Sequence, residues 1–214
     1  MSLTSGANPR AYDRSVFEIL TVCTGNICRS PLAQTLLQSR LADLHPIITS
    51  AGTQGLDAAP MTDEARRLAS ELGVADELSA AHRSRYLTEL DLASPDIILA
   101  MSREHRRRVV ELAPHRLRST FTAREFARLA NDTSDADIVQ AADAAGTAPS
   151  ARLRAAVATV AGMRGASAPP ADPAEDDVVD PYRRSWETYQ RSAAQLVPAI
   201  DEVARVVRLA VTTG

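Results

Sequence analysis

Along the first part of the chain, short runs of consecutive apolar residues alternate with stretches in which apolar positions recur every three or four residues. Phe17-Glu-Ile-Leu-Thr-Val-Cys23 is β-prone and stops at Gly25 and Asn26, which predicts a strand followed by a turn. Ser30-Pro31 then opens a helical pattern, with serine as the expected N-cap and proline at the first helical position. Leu32, Leu36, Leu37 and Leu41 form its apolar face, and the pattern ends before His45-Pro46. Ile47 to Ser50 reads as a second strand stopped at Gly52, and Thr62 to Leu72 as a helix closed by Gly73. Asp96 to Met101 is a buried-type strand, followed by an arginine-rich helix from about 103 to 112 and a short strand at Ser119–Thr122. Strands alternating with helices predict an α/β fold: a three-layer α/β/α domain around a central four-stranded parallel sheet.

The later part differs in texture. Residues 131–177 are rich in Ala, Asp, Pro and Gly, with a helical patch around 150–163, and Ala168 to Asp177 reads as a mobile, solvated linker. Order is expected again at Val178. Trp186, Tyr189, Leu196, Ile200, Val203 and Val207 have helical spacing and should pack on the sheet.

Composition narrows the function classes. The 214 residues carry 24 basic and 27 acidic side chains, for a net charge of −3, and every basic one is arginine. A near-neutral chain with 4% aromatic residues argues against a nucleic-acid partner, which needs basic excess and stacking surfaces. Two cysteines, Cys23 and Cys28, are no disulfide framework. Residues 1–16 lack the apolar core of a signal peptide, and no run reaches the roughly 18 apolar residues that span a bilayer. The expectation is a cytoplasmic protein, off the membrane, with reduced thiols.

Cys23-Thr-Gly-Asn-Ile-Cys28-Arg29 sits between the first strand and first helix with C-x5-R spacing. In a chain with this many arginines the bare spacing arises by chance about 0.2 times. Requiring Gly25, Asn26, Ser30 and Pro31 as well lowers that to the order of 10⁻⁶. The chemistry is coherent: a strand-to-helix loop turns backbone N–H groups toward an anion, and the helix dipole adds to the attraction. Both favour a thiolate at Cys23, a nucleophile at neutral pH. Arg29 supplies a fork that binds two phosphate oxygens. Gly25 and Asn26 are suited to unusual backbone angles.

The string Val22 to Pro31 resembles the signature loop of the low-molecular-weight protein tyrosine phosphatases, as do Ser50-Ala-Gly-Thr53, His82-Arg-Ser-Arg85, Asp96 to Met101 and Asp180-Pro-Tyr182. The resemblance covers about 17–121 and 178–210. It implies a single phosphatase domain over 16–214 with a family-atypical insertion at about 131–177, preceded by an extension over 1–15. It implies that Cys23 is the nucleophile, that Arg29 and the backbone of Thr24, Gly25, Asn26, Ile27, Cys28 and Ser30 bind the phosphoryl oxygens, and that the Ser30 hydroxyl steadies the thiolate. Asp180 would be the general acid, although aspartate before proline is also an ordinary helix N-cap. Leu56 and Tyr182 would wall the pocket. Phosphorylated proteins are the implied substrates, with no cofactor and no metal. His82 would be a structural partner of the loop or a proton-transfer group, and Cys28 a protective disulfide partner of Cys23 or a buried bystander. Arg183 and Arg184 read as a solvated helix start or as attractors of acidic substrates.

Ser102 stands where relatives often carry aspartate. Ile27 is typical of the tyrosine-directed branch, whereas protein-arginine phosphatases tend to carry threonine there. An arsenate reductase using a small-molecule thiol shares the fold, and a silent phosphotyrosine-binding module is a further alternative.

Overall fold

The computed structural model describes residues 16–212; the extension expected over 1–15 lies outside them. Four strands, β1 (Glu18–Cys23), β2 (Ile47–Gly52), β3 (Ile97–Ala100) and β4 (Thr120–Thr122), form one parallel sheet in the order β2-β1-β3-β4. The predicted architecture is present. Side chains alternate across β1, and the two faces bury different partners. Ile19 and Cys23 join Leu32, Leu36 and Leu37 of helix α1 (Arg29–Arg40), and Leu196, Ile200 and Val203 of the long helix α8 (Trp186–Val211). Leu20 and Val22 join Ile98 and Val109, the latter on α4 (Arg103–Leu112). Helices α2 (Asp63–Glu71) and α3 (Asp76–Ala81) complete the α1 side.

Two local readings are corrected. Helix α1 begins at Arg29, because the Leu32 N–H already reaches the Cys28 carbonyl at 3.1 Å. Ser30 therefore lies inside the first turn and caps nothing; its hydroxyl is aimed at Cys23 instead. No helix begins at Asp180 either. Its carboxylate accepts the Tyr182 N–H at 3.2 Å in a local turn, and α8 starts only at Trp186, so Arg183 and Arg184 precede the helix.

The segment 131–177 is largely helical, and the patch expected around 150–163 is a helix. Helices α5 (Ala123–Asn131), α6 (Asp135–Ala144) and α7 (Pro149–Gly162) pack on one another and on α8 through Phe126, Ile138, Leu153, Val157 and Val160. Buried Asp96, just before β3, accepts from Glu18 N at 2.9 Å and Ser150 Oγ at 2.8 Å, and pairs with Arg154. This joins α7 to the sheet. The stretch 168–177 remains exposed but is tethered, Asp177 by Arg103 and Asp176 by Arg128, each pair at 3.0 Å. Leu153→Ala should therefore cost about 2–5 kcal/mol in urea unfolding; a loss below about 0.5 kcal/mol would mean that this segment contributes no core. Among the described residues no helix is long and apolar enough to cross a membrane.

Candidate active site

Strand β1 lies inside the sheet, with β2 on one side and β3 on the other. The chain therefore leaves the carboxyl end of β1 at a switch point of strand order, where open α/β sheets place their ligands. The loop after Cys23 turns on Asn26, at φ 55°. Gly25 has no such angle, so the expectation of two special residues reduces to one. Asn26 is fully buried and fastened on every side. Its Nδ2 donates to Ser30 Oγ at 3.0 Å and Ser50 Oγ at 2.8 Å, and its Oδ1 accepts from Arg85 N at 3.0 Å. Its carbonyl lies 2.7 Å from His82 Nε2, which places His82 as a structural partner of the loop. Burial lowers the His82 pKa below the ordinary imidazole value, which suits a neutral ring donating from Nε2. Gly52, at the end of β2, lets the backbones meet: a Cβ there would stand 2.6 Å from the Thr24 carbonyl oxygen.

The buried Cys23 sulfur accepts from Ser30 Oγ at 3.0 Å and from Asn26 N at 3.3 Å. Two donors aimed at one sulfur stabilise negative charge on it. Arg29 is buried in the first turn of α1, although arginine is rarely so without partners. Its Nη1 donates to the Val178 carbonyl at 3.1 Å, and its Nη2 pairs with Asp180 Oδ2 at 2.7 Å. Its Nε is buried with no hydrogen-bond acceptor among the described residues. A buried guanidinium donor left over beside a cysteine sulfur fits an oxyanion. Asp180 itself is 52% exposed, at the rim.

These groups share a cavity of about 320 Å³. Cys23, Thr24, Gly25, Ile27, Cys28, Arg29, Leu56, Asp180 and Tyr182 all line it. Leu56 and Tyr182 are 45% and 40% exposed, leaving apolar surface at the mouth. Asn26 and Ser30 do not line the cavity; they stand behind the loop and shape it. Gln54 and Arg183 line it as well, the latter at φ 58°. Both cysteines are free thiols. The Cys28 sulfur lies 3.6 Å from both Thr62 Oγ1 and Tyr189 OH, and burial pushes its pKa up to about 11, leaving it a protonated, weak nucleophile at neutral pH.

Sequence reasoning missed His105. It lies on the first turn of α4 with Nε2 2.8 Å from Thr24 Oγ1 and Nδ1 2.8 Å from Ser102 Oγ. No motif announces it, and only the packing of α4 on the sheet brings it to the loop. Burial, then the Arg29 charge, lower its pKa from 6.5 to about 4. The unfolded chain therefore binds more protons than the folded one between those values, so stability rises with pH in that window. His105 alone should withdraw about 3 kcal/mol as pH falls from 6.5 to 4. The stability gap between the parent and His105→Asn, from urea unfolding, should shrink as pH falls from 7 to 4.5. A gap that stays constant would contradict a buried neutral imidazole.

An α/β sheet presenting a cysteine sulfur, a buried guanidinium and a facing carboxylate around one cavity at its switch point defines a class of oxyanion site. The family model for low molecular weight phosphotyrosine protein phosphatases matches residues 18–141, and the chain belongs to that family. The low molecular weight protein-tyrosine-phosphatase Etp of Escherichia coli K12 is 43% identical over 96 residues, 45% of this chain and 62% of Etp. The chain thus matches less than two thirds of that relative's length. A protein-arginine-phosphatase of Geobacillus stearothermophilus is 34% identical over 111 residues, 51% of this chain and 71% of the relative. Among solved structures, the low molecular weight protein tyrosine phosphatase of T. tengcongensis superposes with a TM-score of 0.60 at 26% identity, covering 88% of this chain and 98% of the other.

Proposed function

We propose that the protein is a phosphomonoester hydrolase that removes phosphate from protein phosphotyrosine through a phosphocysteine intermediate. The observation that carries this reading is Cys23 Sγ, held by two donors, in one cavity with the leftover donor of Arg29 and the carboxylate of Asp180. The Cys23 thiolate attacks phosphorus as the bond to the leaving phenolic oxygen breaks. Arg29 and the loop N–H groups hold the non-bridging oxygens, most tightly in the transition state. An incoming dianion competes for the guanidinium that Asp180 occupies; the released carboxylate takes up a proton from solvent and passes it to the leaving oxygen. Asp180 then takes a proton from water as it attacks the phosphocysteine, releasing phosphate and regenerating the thiolate.

Phosphotyrosine is favoured over phosphoarginine by the walls. Ile27, Leu56 and Tyr182 offer apolar surface to an aryl ring, and Ile27 adds no hydroxyl to the loop. An arsenate reductase resolved by further protein thiols is disfavoured, since no cysteine follows Cys28. The test compares a phosphotyrosine peptide, phosphoarginine, and arsenate with a small thiol under one set of conditions. We expect kcat/KM for phosphotyrosine to exceed that for phosphoarginine by about tenfold or more, with no arsenate turnover. A preference for either alternative would replace this assignment.

A further inference from the structure

The mechanism above uses the backbone of Thr24 and leaves its hydroxyl unassigned. That hydroxyl belongs to a residue lining the cavity and lies 2.8 Å from His105 Nε2. On the other side of the ring, Nδ1 lies 2.8 Å from Ser102 Oγ, which also accepts the His105 backbone N–H at 3.3 Å as the N-cap of α4. The imidazole is 5% exposed, so these two hydroxyls determine what its nitrogens do.

A neutral imidazole has one donor nitrogen and one acceptor, which leaves two arrangements. In the first, Ser102 O–H donates to Nδ1 and Nε2–H donates to Thr24 Oγ1. Thr24 then has its own proton free to turn into the cavity. In the second, Nδ1–H donates to Ser102, and Thr24 spends its proton on Nε2, turning lone pairs toward the cavity. An oxyanion in the cavity selects the first, because a donor then faces negative charge where the second would set lone pairs against it. The charges around the ring are Arg29, Asp177 and Asp180, and burial with Arg29 keeps the ring neutral. Serine at 102 is what makes the first arrangement available: an ionised aspartate accepts only, and would hold Nδ1–H and the unproductive orientation.

We infer that the Thr24 hydroxyl is a catalytic hydrogen-bond donor to a phosphoryl oxygen, and that His105 and Ser102 are positioning residues that set the direction of its proton. This rests on the reading that the cavity takes a phosphoryl group. It adds a side-chain donor on this chain's own residues to those the loop backbone supplies.

The test joins kinetics to nitrogen-15 NMR of the imidazole. With p-nitrophenyl phosphate, Thr24→Val should lower kcat/KM by about 10–100-fold, in the range of one lost oxyanion donor. Thr24→Ser should retain most of the activity. Ser102→Asp should lower it in the same direction, and Thr24→Val with Ser102→Asp should be little worse than Thr24→Val alone, since Ser102 acts through Thr24. In Cys23→Ser protein saturated with inorganic phosphate, the His105 ring should carry its proton on Nε2, and on Nδ1 once Ser102→Asp is added. Thr24→Val with kcat/KM within twofold of the parent, or full additivity of the two substitutions, overturns the inference. An Nδ1–H ring in the phosphate complex overturns it too. If the parent hydrolyses no phosphomonoester, the reading of the site fails instead, and the NMR result still decides the orientation of Thr24.

Discussion

Cys23→Ser will abolish turnover of p-nitrophenyl phosphate, with a loss on the order of 10⁴–10⁶ in kcat. The substitution changes one atom at a site whose surroundings are already complete. Ser30 Oγ and Asn26 N would still point at the new oxygen, and Arg29 and Asp180 would be untouched. What is lost is the proposed nucleophile: a thiol ionises far more readily than a serine hydroxyl, and sulfur is the stronger nucleophile. The fold should tolerate the change, since serine is smaller and has partners waiting; an unfolding free energy from urea titration within about 1 kcal/mol of the parent is expected. Retained activity in a stable variant would remove Cys23 from the mechanism.

Asp180→Asn should slow hydrolysis of aryl phosphates by about 10²–10⁴, and the loss should grow as the leaving group becomes more basic. Asparagine keeps the shape and the local turn to Tyr182 but cannot give up a proton. It also leaves Arg29 without its anionic partner, so phosphate binding should, if anything, tighten. The slope of log kcat/KM against leaving-group pKa separates the roles. A steeper negative slope in the variant marks a lost general acid. An unchanged slope with a uniform loss would mean that Asp180 acts only by holding Arg29.

Much of this was legible in the chain because strands buried on both faces and a strand–loop–helix motif leave local signatures. Phe17 to Cys23 and Asp96 to Met101 are short, largely apolar runs bounded by turns, and they became β1 and β3 within a residue or two. The loop from Cys23 to Ser30 was identifiable because its chemistry is contiguous in sequence. The patch at 150–163 announced α7, whereas α6 was hidden because it buries an alanine face. Ala142, Ala156 and Ala161 fill the small gap between helices, and with so few large apolar residues α6 gives a weak periodic signal. Ser30 reads as a cap because the apolar pattern opens at Pro31, whereas the hydroxyl serves the Cys23 sulfur and the helix starts earlier. His105 and Gln54 were invisible for a different reason: their place in the site depends on how α4 and the β2 exit pack beside the loop, which spacing does not encode.

The central claim is a covalent intermediate on Cys23. The most direct measurement is rapid acid quench of the Asp180→Ala protein during turnover of p-nitrophenyl phosphate, followed by mass spectrometry of its peptides. This leaving group needs little protonation, so the first step proceeds, while hydrolysis of the intermediate lacks its base and becomes slow. The account predicts a phosphoryl group on the peptide containing Cys23, at the cysteine itself, reaching a substantial fraction of the enzyme. A phosphoryl group on another residue, or turnover without any adduct, would contradict it.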